Sequence, residues 1–275
     1  MRSKLLVSCL GFMFVLSLFV LNPGSAEALT LGTNITISDL NNNGSDPIIA
    51  GNWYSDREDQ EVEPGMQNDQ TWDLEGFFLN GNKLFIVGGM DFSNENPPNY
   101  ADDRQMGDVF FDLDGDVTYG PGSPEGNGDH GYDYAIRFRF DKEEGTDTDV
   151  FYYDLFAMDD NSNTIEVNSA YGNRPEANPW RLDVADKSTS DGTFTYRRNL
   201  NNSEVGGLLG DVHYAVEFSL TGALTLLDGA QFTSHLTPFC GNDYMMGSNV
   251  PIPGAIILLG SGLIGLAGLR RKFIS

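Results

Sequence analysis

The run Phe77-Phe78-Leu79-Asn80-Gly81-Asn82-Lys83-Leu84-Phe85-Ile86-Val87 decides the fold class. Two apolar segments flank an Asn-Gly dipeptide, the pair that most readily fills the two positive-φ positions of a type I′ turn. The run therefore predicts a β-hairpin. The same grammar spreads outward. Tyr132, Tyr134, Ile136, Phe138 and Phe140 alternate with Asp133, Ala135, Arg137, Arg139 and Asp141, the period of a strand with one face on a core. Val212, Tyr214, Val216, Phe218 and Leu220 alternate in the same way with Asp211, His213, Ala215, Glu217 and Ser219. Further strands are expected at 35–37, 109–112, 151–158, 193–197 and 231–236, where Val, Ile, Phe, Tyr and Thr gather between Gly, Asn and Asp. No long helical period precedes residue 250. The expectation is an all-β body, an antiparallel β-sandwich of jelly-roll type. Polar stretches at 55–70, 93–105, 120–131 and 171–179 read as surface loops able to hold a binding site.

The two ends of the chain read as sorting segments. Arg2 and Lys4 precede an apolar stretch from Leu5 to Leu21, and Ala26-Glu27-Ala28 has the small-x-small form that signal peptidase cuts. Residues 1–28 are therefore a signal peptide, and the mature chain is expected to start at Leu29. Leu6-Val7-Ser8-Cys9 has the letters of a lipobox, but it precedes most of the apolar run instead of ending it, which argues against lipidation. Val250 to Leu269 is an uncharged, Gly-rich stretch of twenty residues. As a helix it spans about 30 Å, close to a bilayer core. Pro251 and Pro253 stand at its very start, where a missing N–H costs little. Arg270, Arg271 and Lys272 follow it and are expected to stay on the cytoplasmic side. The chain thus divides into a leader (1–28), a β-sandwich surface domain (29–240), a linker (241–249) and a sorting tail (250–275) that crosses the membrane through residues 251–269.

The tail resembles the PEP-CTERM sorting signal of Gram-negative bacteria. The likeness rests on Val250-Pro251-Ile252-Pro253, the Gly-rich apolar segment and the terminal Arg270-Arg271-Lys272. Ile252 stands where the family's usual motif has Glu. The stretch from Phe232 to Asp243 is also similar to the end of the surface domain in many such proteins. The resemblance implies recognition by an exosortase, a membrane cysteine transpeptidase, and delivery to the cell surface or the extracellular matrix.

Charge excludes some partners. The chain carries 16 basic and 40 acidic residues, and its leader and tail hold five of the basic residues and one acid, leaving a body of net charge −28. Such a body repels nucleic acid and attracts divalent cations. Of two cysteines only Cys240 lies outside the leader, so no internal disulfide forms and a buried structural role is expected for it.

Two acidic runs have calcium-ligand spacing. Asp112, Asp114 and Asp116 follow a predicted strand at alternate positions, with Asp108 and Glu125 as outlying candidates. Alternate aspartates can offer several hard oxygens across one tight turn. Asp39, Asn41 and Asn43 precede Gly44 in a second such run, but Ala50 takes the place of the bidentate glutamate, and an Asx-rich turn is the simpler reading. His213 and His235 fall on the polar sides of their strands and read as solvated. Asp129 and His130 lie in a Gly-rich turn, and the sequence carries no His-Glu-x-x-His, Gly-x-Ser-x-Gly or phosphate-loop motif. Trp72-Asp73-Leu74-Glu75, the run from Leu84 to Asp91 and Gly107 to Asp112 are similar to carbohydrate-binding β-sandwiches of the family-nine type. Trp53, Trp72 and Trp180 would then be the residues to stack on sugars, although such side chains more often belong to cores.

The expected function is a non-catalytic, acidic surface or matrix protein, stabilised by Ca²⁺ where the aspartate turn binds it. The alternative is a module that retains exopolysaccharide. A secreted hydrolase ranks third, since that chemistry needs two placed carboxylates and the sequence singles out no pair.

Overall fold

Among the described residues, thirteen strands build the body: β1 (Thr33–Asn34), β2 (Thr36–Ile37), β3 (Leu74–Asn80), β4 (Lys83–Gly88), β5 (Val109–Asp112), β6 (Tyr134–Glu143), β7 (Val150–Ala157), β8 (Thr164–Ile165), β9 (Arg181–Leu182), β10 (Ser190–Leu200), β11 (His213–Ser219), β12 (Thr233–Leu236) and β13 (Met245–Ser248). The structure is a computed structural model and describes residues 28–37, 58–63, 66–67, 69–93, 105–118, 128, 130–143, 149–167, 175–183 and 188–249. The leader up to Glu27, the run holding Asp39, Asn41 and Asn43, and the tail from Val250 lie outside the described residues. Among the described residues no helix is long and apolar enough to cross a membrane.

Eleven strands form one sheet in the order β1-β3-β4-β11-β10-β7-β6-β5-β12-β13-β2, and β8 pairs with β9 apart from it. All pairings are antiparallel. The sheet nearly closes on itself, because β1 and β2 flank one residue yet bond to opposite edges. Ile35, between them, donates its N–H to Phe77 O (2.9 Å) and accepts the N–H of Ser248 (2.7 Å). Closure removes the unpaired edges that would otherwise recruit other chains.

The expected hairpin is β3–β4, with Asn80 opposite Lys83. The turn residues are therefore Gly81 and Asn82, one place later than the Asn-Gly reading put them. Gly81 has φ 59° and Asn82 is not among the positive-φ residues, the signature of a type II′ turn with Gly first. No Cβ contact limits Gly81, so its φ alone explains the glycine.

Inside the sheet lies an aromatic core. Phe138 packs on Phe194 and Phe218 at 5.5 and 6.0 Å between ring centroids. Phe111 meets Phe232 edge-on at 5.6 Å. The outer face is covered too. Phe78, Phe85, Val87 and Ala215 pack with Leu31, Leu200 and Val205 in a second cluster, while Phe110, Tyr132, Ala135, Phe156 and Leu182 form a third.

Burial on both faces overturns three expectations. His213 and His235 are fully buried, not solvated, because the face opposite the main core carries its own packing. Residues 241–249 are not a linker: they supply β13, and Met245 and Met246 are buried. The described parts of two expected surface loops are also packed inward, with Glu61, Val62 and Glu63 in one and Ala177 and Asn178 in the other all buried.

Candidate metal centre

Five buried carboxylates gather in the interior: Glu58, Glu61, Asp73, Glu75 and Asp243, each at most 5% exposed, with Glu63 also buried on the same segment as the first two. They come from three places. Glu58, Glu61 and Glu63 lie on the segment that reaches the body before β3. Asp73 closes the 3₁₀ turn Gln70–Trp72, and Glu75 lies in β3. Asp243 lies between β12 and β13. A register shift between Leu74 and Gly76 marks a bulge at Glu75, and a bulge re-aims the side chain of its extra residue.

Backbone bonds strap these places together. Glu63 donates its N–H to Asn242 O (3.0 Å). The Asn242 side chain holds both the N–H and the carbonyl of Gln67 at 3.0 Å. Asp73 accepts the N–H groups of Gln60 and Glu61, each at 3.2 Å. Asp243 Oδ2 accepts the N–H of Leu74 at 2.5 Å.

The cluster has two lobes. In one, an oxygen from each of Asp59, Asp73 and Glu75 lies within 4.8 Å of the other two. The protein itself partners this lobe. Glu75 takes the Nε2 of Gln70 (2.5 Å) and both its oxygens face His213 Nδ1 at 2.7 and 2.8 Å. Burial pushes the Glu75 carboxyl well up and the His213 imidazole down. In the other lobe, oxygens of Glu58, Glu61 and Asp243 lie within 4.8 Å of one another. Asp243 Oδ1 is buried there with no hydrogen-bond partner. Burial, then repulsion from Glu61, Asp73 and Glu58, pushes the Asp243 carboxyl well above its ordinary range. A nest lined only by carboxyl oxygens suits a hard divalent cation and offers no soft ligand.

The aspartate turn predicted from sequence is also assembled, with one change of membership. Asp112 and Asp114 are joined by Asp133, from the other end of the β5–β6 connection, within 4.8 Å. Asp116 is exposed, and its carboxyl is raised first by Asp114 beside it. This turn is held by its own backbone. Asp112 Oδ1 accepts the N–H groups of Asp114 (3.1 Å) and Gly115 (2.7 Å), and Asp133 Oδ2 accepts that of Leu113 (2.7 Å). Asp108 does not join it. Its two oxygens take Nε and Nη2 of Arg137 at 2.9 and 2.7 Å, and Oδ2 also accepts the N–H of Leu182. Glu125 and Asp129 lie outside the described residues.

The described tryptophans make no open platform. Trp180 is buried, with Phe239 at 4.5 Å between centroids and the Arg181 guanidinium at 4.6 Å. Trp72 packs half-buried against the main core, and Trp53 lies outside the described residues. Cys240 is buried, as a structural role requires. Sequence reasoning missed Glu58, Glu61, Asp73, Glu75 and Asp243 as a group. The usable signal was a polar stretch ending in an apolar-flanked Asp73-Leu74-Glu75, which an exposed strand start does not need. Comparison of the chain with protein-family models, curated proteins and solved structures found no match.

Proposed function

We propose that the chain is an exported, exosortase-processed protein of the cell surface or extracellular matrix, whose acidic β body binds instead of catalysing. The supporting observation is that the body's own hydrogen bonds hold the two residues next to the expected cuts. At one end Leu29, the expected first mature residue, donates its N–H to Glu204 O (2.7 Å). At the other, Asn249 donates from its side chain to Ala230 O (2.7 Å) and accepts the N–H of Phe232 (2.7 Å). Signal peptidase cleavage after Ala28 and processing near Val250-Pro251-Ile252-Pro253 would both leave these contacts whole. The nearly closed sheet fits a flattened, jelly-roll-like sandwich, a form supported by the aromatic layer that fills it.

The test is expression of the full chain in a Gram-negative host with and without its exosortase. The reading expects a mature N-terminus at Leu29, a surface or matrix fraction that disappears without the enzyme, and release of a folded body when residues 250–275 are deleted. Retention of residues 1–28, or an unchanged distribution in the tail-deleted protein, would overturn it.

A further inference from the structure

We propose that Glu58, Glu61 and Asp243 together bind one divalent cation of the calcium class, and that this ion clamps the segment before β3 to the start of β13. The inference is independent of the sorting tail and of the aspartate turn.

Geometry comes first. An oxygen of each of the three residues lies within 4.8 Å of the other two. Calcium sits about 2.3–2.6 Å from its oxygens, so ligands on opposite sides of one ion are about 5 Å apart. The three oxygens therefore fit on one coordination sphere. Magnesium, at about 2.0–2.1 Å and strict octahedral angles, asks for a tighter set and keeps more of its water. The three side chains supply only carboxylate oxygen, and neither His nor Cys is among them, which argues against zinc or copper.

The second observation is Asp243 itself. It is 0% exposed, its Oδ2 takes the Leu74 N–H, and its Oδ1 is buried without a hydrogen-bond partner. Buried carboxylate oxygens are normally bonded, since an unsatisfied one bears its whole desolvation penalty. A cation beside Oδ1 removes that penalty and offsets the repulsion among the three acids together. The neighbouring lobe makes the contrast, because there Gln70, His213 and the N–H groups of Gln60 and Glu61 already serve Glu75 and Asp73.

Position gives the site a consequence. Asp243 precedes β13, which bonds to β2 and brings the sheet to near closure. Glu58 and Glu61 belong to a segment held to Asn242 by Glu63 and Gln67. An ion here would tie that segment to the closing strand much as a disulfide would, in a chain whose body has one cysteine.

The experiment is calorimetric titration of CaCl₂ into the full chain, purified in detergent and stripped with EGTA, with MgCl₂ in parallel. Unfolding is followed with and without 5 mM Ca²⁺ as the readout of fold. Asp243→Asn, Glu61→Gln and Glu58→Gln are the test variants, and Asp114→Asn is the comparator. The proposal expects saturable Ca²⁺ binding that each test variant weakens by about tenfold or more. It expects a melting temperature raised about 5–10 °C by Ca²⁺ in the wild type and in Asp114→Asn, and hardly raised in the test variants. If one test variant fails to fold, the other two carry the comparison. Absence of saturable binding, equal binding of Mg²⁺, or Ca²⁺ affinity lost in Asp114→Asn but kept in all test variants would overturn it.

Discussion

Asp112 and Asp243 are both buried aspartates, each with two other carboxylates within 4.8 Å, yet their surroundings differ in kind. Asp112 ends a strand and folds the next residues around itself, so the N–H groups of Asp114 and Gly115 serve its Oδ1. Its companion Asp114 is exposed, where water screens the repulsion. Asp243 has companions from far along the chain, no loop of its own to wrap it, and one oxygen buried without a donor. Acids close in sequence build a turn that satisfies them. Acids brought together by the fold inherit burial without local donors and need an outside charge. Asp108 marks the third case, a buried acid fully matched by Arg137 and Leu182.

Breaking the matched case should have the largest effect. Arg137→Met leaves Asp108 buried without its bidentate partner. Removing one member of such a pair costs about 3–5 kcal/mol. Urea unfolding should show that loss, and Asp108→Asn added to Arg137→Met should recover part of it. A single variant within about 1 kcal/mol of wild type would mean that buried charge in this body is cheaply tolerated, and the contrast with Asp243 would collapse.

Acid separates the buried bases from the buried acids. His235 is pushed down to about 3 by burial and then by His130, and its Nε2 lies 3.1 Å from Pro179 O. Its folded value lies below its unfolded one, so its contribution is whole above about pH 6.5. That contribution falls as pH drops towards 3, by about 1.4 kcal/mol per unit. Asp73, Glu75 and Asp243 run the other way: their carboxyls are raised in the fold by burial first, so acid relieves them. Comparing wild type with His235→Gln cancels the carboxylates. Wild type should lose about 2–3 kcal/mol relative to the variant between pH 6 and pH 4. Parallel stability curves would remove His235 from the acid response.

Neutralising the crowded lobe should reverse the usual sign of a core mutation. In chelator, Asp243→Asn keeps an acceptor for the Leu74 N–H and removes one of the mutually repelling charges. A gain of about 1–3 kcal/mol is expected. In the turn, the matching change Asp112→Ala removes the acceptor of two N–H groups and should lose about 1–2 kcal/mol. Losses of equal size at both positions would say that Asp243 is as well served as Asp112.

Local order explains which of these regions the sequence announces. Strand β5 is legible at Val109–Asp112, where it is found, because three β-formers run into an Asp-Gly turn. The hairpin was legible for the same reason, and only the turn's register escaped, since Asn80 and Asn82 both adjoin the one glycine that needs positive φ. The aspartate turn was legible because Asp112 and Asp114 are neighbours in the chain. Asp133 arrives by strand pairing, with its N–H on Phe111 O at 2.9 Å, and no spacing rule reaches across that connection. The histidines were misplaced because alternation names two faces but does not say that both are covered. Ala215, next to His213, packs in the second cluster, beyond the main core. Glu58 to Glu63 look like a solvated loop because their partners, Asn242 and Asp243, are about 180 residues away in the chain.

The smallest effect expected is also the sharpest control. Asp114→Asn changes one exposed carboxylate into an amide of the same shape. Its Oδ1 accepts the N–H of Asp116 at 3.3 Å, and the amide oxygen can do the same. Repulsion from Asp112, Asp116 and Asp133 falls, but at the surface such terms are screened and individually small. Stability in chelator should therefore move by less than about 0.5 kcal/mol. The informative quantity is how this value responds to Ca²⁺. If the turn is satisfied by its own backbone, 5 mM Ca²⁺ stabilises Asp114→Asn and wild type equally, and the ion's effect belongs to the lobe at Asp243. If Asp114→Asn loses that stabilisation, the turn is the cation site. Its backbone bonds would then shape a coordination loop without replacing the ion, and the contrast between near and distant carboxylates would have to be redrawn.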